Sequence, residues 1–92
     1  MRRAVGKAVV GNTIMKYFVT GDDRSGYKAE IQESVVQIVQ EPLLPGGKEN
    51  FQKACRFVQL LQEGSVTAET LPSIAEDYRS DLAAGFDRFT AC

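Results

Sequence analysis

The chain has 92 residues, with 11 Lys and Arg against 12 Asp and Glu, two Cys and no His. This length allows one domain with a single core. Without histidine the chain cannot supply a Ser-His-Asp triad or a histidine-ligated metal, and two cysteines are too few for an all-thiolate zinc site. A composition of 43% hydrophobic and 25% charged residues is that of an ordinary globular protein, so we expect a folded domain.

The start of the chain does not have the pattern of a targeting segment. Lys7 and Asn12 interrupt the apolar residues after Arg2 and Arg3, whereas a signal peptide needs an unbroken apolar stretch of about 7 to 15 residues. A membrane helix needs about 20 such residues, and no stretch reaches that length. We therefore expect a cytoplasmic protein that does not bind membranes, with both cysteines reduced.

The first half of the sequence predicts an antiparallel meander. Gly11-Asn12 suits a two-residue hairpin turn between stretches rich in β-branched and aromatic residues, and Glu33-Ser34 is the predicted turn before the last such stretch. Pro42 and Pro45 lack backbone donors, so we expect the sheet to end before them. The predicted strands span residues 4–10, 13–20, 27–32 and 35–40.

The second half changes to helical spacing. The predicted helices span residues 48–63 and 71–83. Gly64 is expected to end the first helix in a left-handed conformation, and Thr70 is expected to cap the second. Strands followed by helices indicate an α+β fold, an antiparallel β-meander of three to four strands followed by two helices packed on one face of the sheet. We assign residues 1–85 to this single domain and expect residues 86–92 to form a frayed tail.

The thiols and carboxylates have simple structural explanations. Cys55 lies on the apolar stripe of the first helix, where core packing is the simpler role, and Cys92 is the exposed last residue. The acidic residues of the second helix are typical of a solvated helix face. These acidic residues are Glu76, Asp77 and Asp81.

The two glycine-rich segments also have a simple structural explanation, as turns. Asp22, Asp23 and Ser25 lie in a glycine-flanked loop that is similar to a calcium loop but lacks the terminal glutamate of an EF-hand. Gly46-Gly47-Lys48 lacks the earlier glycine and the following Ser or Thr of a phosphate-binding loop. We therefore expect no catalytic residue, no metal and no cofactor, and no enzymatic activity.

Three segments carry a family resemblance. They are Tyr17-Phe18-Val19, Gly26-Tyr27-Lys28-Ala29-Glu30-Ile31 and Leu71-Pro72-Ser73-Ile74-Ala75-Glu76-Asp77-Tyr78. Together they resemble small Firmicutes proteins catalogued as a domain of unknown function, over about residues 13–82, with Ala75 where those proteins have Val. The resemblance implies a bacterial cytoplasmic protein of this architecture and implies no activity.

Positive charge and aromatic side chains coincide in the first predicted hairpin. Tyr17 and Phe18 point to opposite faces of their strand, so at least one aromatic side chain is expected on the face that the helices leave uncovered. On a sheet, aromatic groups can stack unpaired bases and basic groups can neutralise phosphates. The near-neutral net charge of the chain limits the strength of such binding. The candidate binding residues are Arg2, Arg3, Lys16, Tyr17 and Phe18, with Lys7 beside them.

Two functional hypotheses follow. The first is a non-enzymatic interaction or regulatory module that binds another protein or itself through the uncovered sheet face, an edge strand, or the tail with Phe86 and Phe89. The second is a weak binder of single-stranded nucleic acid centred on the first hairpin. The simplest explanation of that hairpin is an edge whose cations keep it soluble.

Overall fold

Four antiparallel strands form one sheet in the order β1-β2-β3-β4, and two helices follow. The computed structural model describes residues 1–33 and 37–83. The strands are β1 (Arg2–Val10), β2 (Thr13–Asp22), β3 (Gly26–Glu33) and β4 (Gln37–Leu44), and the helices are α1 (Lys48–Glu63) and α2 (Leu71–Ala83). The α+β meander with two helices against the sheet is therefore confirmed.

Some predicted features lie outside the described residues. These are Ser34 of the predicted Glu33-Ser34 turn, the first residues of the predicted fourth strand, the end of the assigned domain, and the tail with Phe86, Phe89 and Cys92. The first hairpin turns as predicted at Gly11-Asn12, between the paired residues Val10 and Thr13. Gly11 has φ 62, so the turn takes its positive φ at the first central position, where glycine is favoured.

The fourth strand corrects the predicted end of the sheet. We expected β4 to stop at residue 40, but it continues through Pro42 to Leu44. β4 is an edge strand, so its outer side pairs with no other described strand. The missing N–H of Pro42 therefore removes no hydrogen bond between strands on that side. Tyr27 pairs with Leu44 and Lys28 with Pro42, which leaves Leu43 as the extra residue of a bulge.

One face of the sheet and both helices form the core. Alternate residues of β2 and β3 are buried against the helices, and the Phe57 and Tyr78 rings stack with centroids 4.4 Å apart to join α1 to α2. The largest fully buried side chains are Tyr17, Tyr78, Phe57, Met15, Ile31, Leu71, Val19 and Val58. The opposite face of the sheet has no layer of described residues over it, and the candidate site lies there.

The end of α1 differs from the expected geometry. Gly64 has φ −87, and the left-handed residue is Ser65, with φ 52. The Val66 N–H donates to the Leu61 carbonyl at 3.0 Å and the Ser65 N–H to the Gln62 carbonyl at 3.1 Å. This is the Schellman pattern one residue later than predicted, because the helical hydrogen bonding extends to Gly64.

A helix side chain occupies one backbone carbonyl on each edge strand of the sheet. On β1, the Gln62 amide donates to the Lys7 carbonyl at 3.1 Å. On β4, Arg79 Nη1 donates to the Pro42 carbonyl at 2.6 Å, and Pro42 itself has no N–H to offer. Occupied carbonyls and a missing donor make an edge a poor template for another strand. An edge strand is therefore a weaker candidate interface than the sequence indicated.

Candidate interaction surface

The face of the sheet that points away from the helices is termed the open face. It is defined by the strand side chains that alternate with the core residues and by their cross-strand partners. Its described members are Arg2, Ala4, Lys7, Val9, Ile14, Lys16, Phe18, Thr20, Asp22, Lys28, Glu30, Gln32, Ile38, Gln40 and Pro42. Because each row crosses several strands, side chains that are distant in sequence become neighbours here.

A buried carboxylate anchors the centre of the open face. Glu30 is only 3% exposed, although it lies on the uncovered side of the sheet. Arg2 Nε donates to Glu30 Oε2 at 2.8 Å, and the Gln40 amide donates to Glu30 Oε1 at 2.6 Å. The Arg2 guanidinium also lies over the Phe18 ring, 3.8 Å from its centroid. Arg2 therefore covers both the carboxylate and the ring, and its charge is already paired.

Three lysines on the open face have no such partner in the part of the chain that the structure describes. Lys7 and Lys16 are directly opposite each other on β1 and β2, and Lys28 lies on β3. Within the described part of the chain, no carboxylate forms an ion pair with any of the three. Like charges directly opposite each other on adjacent strands destabilise a sheet, so this pair is an unfavourable feature of the isolated fold.

The charge of the whole chain is divided between its two sides. Among the described residues of the open face, four side chains are cationic, Arg2, Lys7, Lys16 and Lys28, and two are carboxylates, Glu30 and Asp22 at the end of β2. Residues 48–83, which include both helices, carry six acidic side chains against four basic ones. The near-neutral net charge of the chain therefore combines a basic sheet face with an acidic helical side. An anionic partner is attracted at long range to the sheet face more than to the helices.

Exposed aliphatic side chains lie on the same face as these lysines. Val9 and Ile14 are cross-strand partners that are 65% and 50% exposed, and Ile38 on β4 is 54% exposed. Lys7, Lys16, Gln32 and Ile38 follow one another across the four strands. We name Lys7, Val9, Ile14, Lys16 and Ile38 the lysine–aliphatic patch. Grouped exposed apolar residues with a polar surround are typical of an interaction site.

The structure separates the residues that the sequence had grouped as binding candidates. Tyr17 is fully buried in the core, and its hydroxyl donates to the Val66 carbonyl at 2.7 Å. Arg3 pairs with the core-facing Val19 and lies near the Phe51 ring, 5.6 Å from its centroid, so it does not join Arg2. Phe18 reaches the open face as predicted, but Arg2 covers it. Lys16 is the one candidate of the five that lies on the open face without an ion-pair partner among the described residues.

The sequence reasoning missed other members of this surface. Val9, Ile14, Lys28, Glu30 and Ile38 are not among the binding candidates that the sequence predicts. Their alternation with buried residues was a usable signal, because it places them opposite the core. The register that brings Ile38 into the row of Lys7 and Lys16 depends on pairing across the whole sheet and has no signal in any one segment.

Cys55 lines a groove of about 250 Å³ between β1 and α1. The other lining residues are Arg3, Ala4, Val5, Gln59 and Gln62. The thiol is partly buried and packs against the core, as its place on the apolar stripe predicted. Burial raises the pKa of the Cys55 thiol, and the smaller opposing effect is the positive charge of Arg3. A raised pKa lowers the thiolate fraction, so this environment does not activate the sulfur.

The acidic loop between β2 and β3 forms a self-contained turn. One oxygen of the Asp22 carboxylate accepts from the Arg24 N–H at 2.9 Å and from the Ser25 N–H and hydroxyl at 2.7 Å each. These hydrogen bonds, those from Ser25 foremost, lower the pKa of the Asp22 carboxyl. The Tyr27 hydroxyl donates to Asp23, and this bond, with burial, raises the pKa of Tyr27 to about 12. The loop thus uses its oxygens as turn acceptors.

The remaining candidate groups stay separate. No group of three or more metal-ligating side chains occurs among residues 1–33 and 37–83. Glu76 and Asp77 are exposed on α2. Gly46 packs against the Asp23 backbone so closely that an added Cβ would lie 1.7 Å from the Asp23 carbonyl oxygen. The Gly46-Gly47 segment is therefore positioned by contact with the acidic turn.

Comparisons of the chain with protein-family models, curated proteins and solved structures give no match. Neither described helix is long and apolar enough to cross a membrane. The resemblance to small Firmicutes proteins stays a prediction, so the functional argument depends on the open face itself.

Proposed function

We propose that this protein is a non-enzymatic interaction module that binds another protein through the open face of its sheet. The observation that supports this most directly is that exposed Val9 and Ile14 are next to lysines that have no ion-pair partner among the described residues. Exposed Ile38 continues the row of those lysines beyond Gln32. Burial of aliphatic surface supplies most of the free energy of protein association, and charges set orientation and specificity. By the resemblance given above, the proposed setting is the bacterial cytoplasm.

Single-stranded nucleic acid is the weaker candidate. The unpaired lysines favour it, since phosphates need cations. Stacking of bases, however, needs accessible rings, and of the two aromatic candidates Tyr17 is buried and Phe18 lies under Arg2. The aliphatic side chains beside the lysines are better suited to a protein.

Symmetric self-association through the open face is also disfavoured. A face-to-face dimer would bring the basic surfaces of two copies together. Of the described carboxylates on that face, Glu30 is buried and already bonded to Arg2 and Gln40, and Asp22 accepts hydrogen bonds within its own turn. Like charges at an interface oppose association. We expect light scattering after size-exclusion chromatography to give a monomer at low salt.

The proposal is tested by comparing what three forms of the protein capture from a lysate of the source cells. The open-face variant carries Ile14→Asp and Ile38→Asp, and the control carries Ser73→Asp and Gln59→Asp at exposed sites on the helices. We expect one or more proteins to bind the unchanged protein and the control and to be lost from the open-face variant. Equal capture by all three forms, or capture lost only in the control, would contradict the proposal. Circular dichroism establishes that each variant is folded.

A further inference from the structure

We infer that the partner presents to the lysine–aliphatic patch a protein segment in which carboxylates and aliphatic side chains lie side by side. This inference depends on the proposed function and adds the chemistry of the partner. The patch is cationic and aliphatic at once, so a complementary surface has to be anionic and aliphatic at once.

The two kinds of contact are adjacent on the same strands. Lys7 and Val9 are two residues apart on β1, as are Ile14 and Lys16 on β2, and each residue lies opposite its own kind. Two residues along a strand correspond to about 7 Å. The patch therefore has a lysine row and an aliphatic row separated by about that distance. Ile38 extends the lysine row at its far end, beyond Gln32.

A partner carboxylate between Lys7 and Lys16 relieves a repulsion that the free protein carries. The two ammonium groups are on opposed residues, and no acidic side chain among the described residues neutralises them. An anion bound there interacts with both cations at once and lowers the cost of their proximity. The aliphatic row contributes by removing Val9 and Ile14 from water. The electrostatic contribution involves only the lysines and the hydrophobic contribution only the aliphatic side chains, so a partner that contacts the whole patch needs both kinds of group.

An anionic bilayer fits the surface less well than a protein segment. Peripheral binding to a bilayer depends on large apolar and aromatic side chains that enter the headgroup region. Phe18 is the described aromatic residue on the open face, and its ring lies under Arg2. A protein segment needs no such ring and can hold carboxylates and aliphatic side chains at a fixed spacing against the two rows.

The inference is tested with defined probes and amide NMR spectra of the isotope-labelled full chain. The first probe is an amphipathic helical peptide of about 14 residues, or about 21 Å, with glutamate and leucine on one face. The second replaces each glutamate by glutamine, and the third replaces each leucine by glutamate. Oligothymidylate and vesicles of phosphatidylglycerol are the fourth and fifth probes. All are titrated at about 50 mM salt, where electrostatic attraction is strong.

We expect the glutamate–leucine peptide to bind about tenfold or more tightly than the two control peptides and to shift amide signals of β1 and β2. We expect Lys7→Glu with Lys16→Glu to weaken that binding about tenfold or more, and the control pair Arg24→Glu with Lys48→Glu, which makes the same change in net charge, to weaken it much less. Ile14→Ser is expected to weaken it without a change in charge.

Several outcomes would overturn the inference. They are equal binding of all three peptides, equal loss in the two charge-reversed pairs, tighter binding of the oligothymidylate or the vesicles, and no binding of any probe. The lysate comparison tells such a failure from a failure of the proposed function. If capture still depends on Ile14 and Ile38, the open face remains an interface and only the partner chemistry is wrong.

Discussion

Arg2 and Glu30, 28 positions apart in the sequence, meet on the open face through the Nε–Oε2 hydrogen bond of 2.8 Å. Glu30 is 3% exposed, whereas the side chain of Arg2 is 47% exposed. The pair therefore combines a buried carboxylate with a cation that still contacts water. It ties the first residues of β1 to β3 across the intervening β2, and it also shields the Phe18 ring.

The first prediction concerns this pair. In a double-mutant cycle with Arg2→Ala and Glu30→Ala, we expect a coupling free energy of about 1 kcal/mol. The value is at the low end for charge-assisted bonds because solvent screens the half-exposed arginine. Urea unfolding of the four proteins measures it. Strictly additive effects of the two substitutions would show that the observed contact contributes nothing to stability.

The second prediction concerns the hydroxyl of Tyr17. It is buried and donates to the Val66 carbonyl at 2.7 Å, so Tyr17→Phe leaves that carbonyl without this donor. We expect a loss of about 1 to 2 kcal/mol in the free energy of unfolding, measured in urea. Phe18→Leu, at the next position in the sequence and on the open face, is the control for a changed aromatic residue that loses no hydroxyl. An unchanged midpoint for Tyr17→Phe would contradict the role assigned to the hydroxyl.

The third prediction is an alkaline loss of stability. The bond to Asp23, with burial, raises the pKa of Tyr27 from 10.0 to about 12, and burial followed by the charge of Glu33 raises the pKa of Tyr17. The folded state thus holds these protons more tightly than the unfolded state. The resulting stabilisation is fully present below pH 10 and is lost as the pH rises towards 12.

Urea unfolding at several pH values across that window measures the effect. We expect Tyr27→Phe to make the decline shallower, because one of the two tyrosines no longer titrates. The near-ultraviolet absorption of tyrosinate gives an independent titration curve for each protein. A decline of the same steepness in the variant and the unchanged protein would rule out Tyr27 as a contributor.

The fourth prediction concerns Cys55. With Cys92→Ser removing the other thiol, we expect Cys55 to react with a thiol reagent more slowly in the folded protein than in urea at the same pH. Burial both restricts access and raises the pKa of the thiol. Arg3→Ala should slow the reaction further, because it removes the nearby positive charge. A folded-state rate equal to the rate in urea would show that the sulfur is freely accessible and not perturbed.

Local features of the sequence were enough for the elements. Gly11-Asn12 placed the first turn, and the change from alternating to helical spacing after Gly47 placed α1, because each depends on residues close together in the chain. Prediction failed at Pro42 and at Ser65. Pro42 is tolerated in a strand only because β4 is at an edge, which is a property of the whole sheet. The position of the left-handed residue depended on where the last helical hydrogen bonds formed.

The candidate site depended far more on tertiary structure. The sequence by itself determined that this chain has no histidine for catalysis and that basic residues gather in the first hairpin. Only the tertiary structure buried Tyr17, paired Arg2 with Glu30, and brought Lys16 and Ile38 into one row while Arg3 turned to the other side. The physical reason is that residue type and local spacing act within a segment, whereas exposure and neutralisation of a charge depend on which strands become neighbours and in which register.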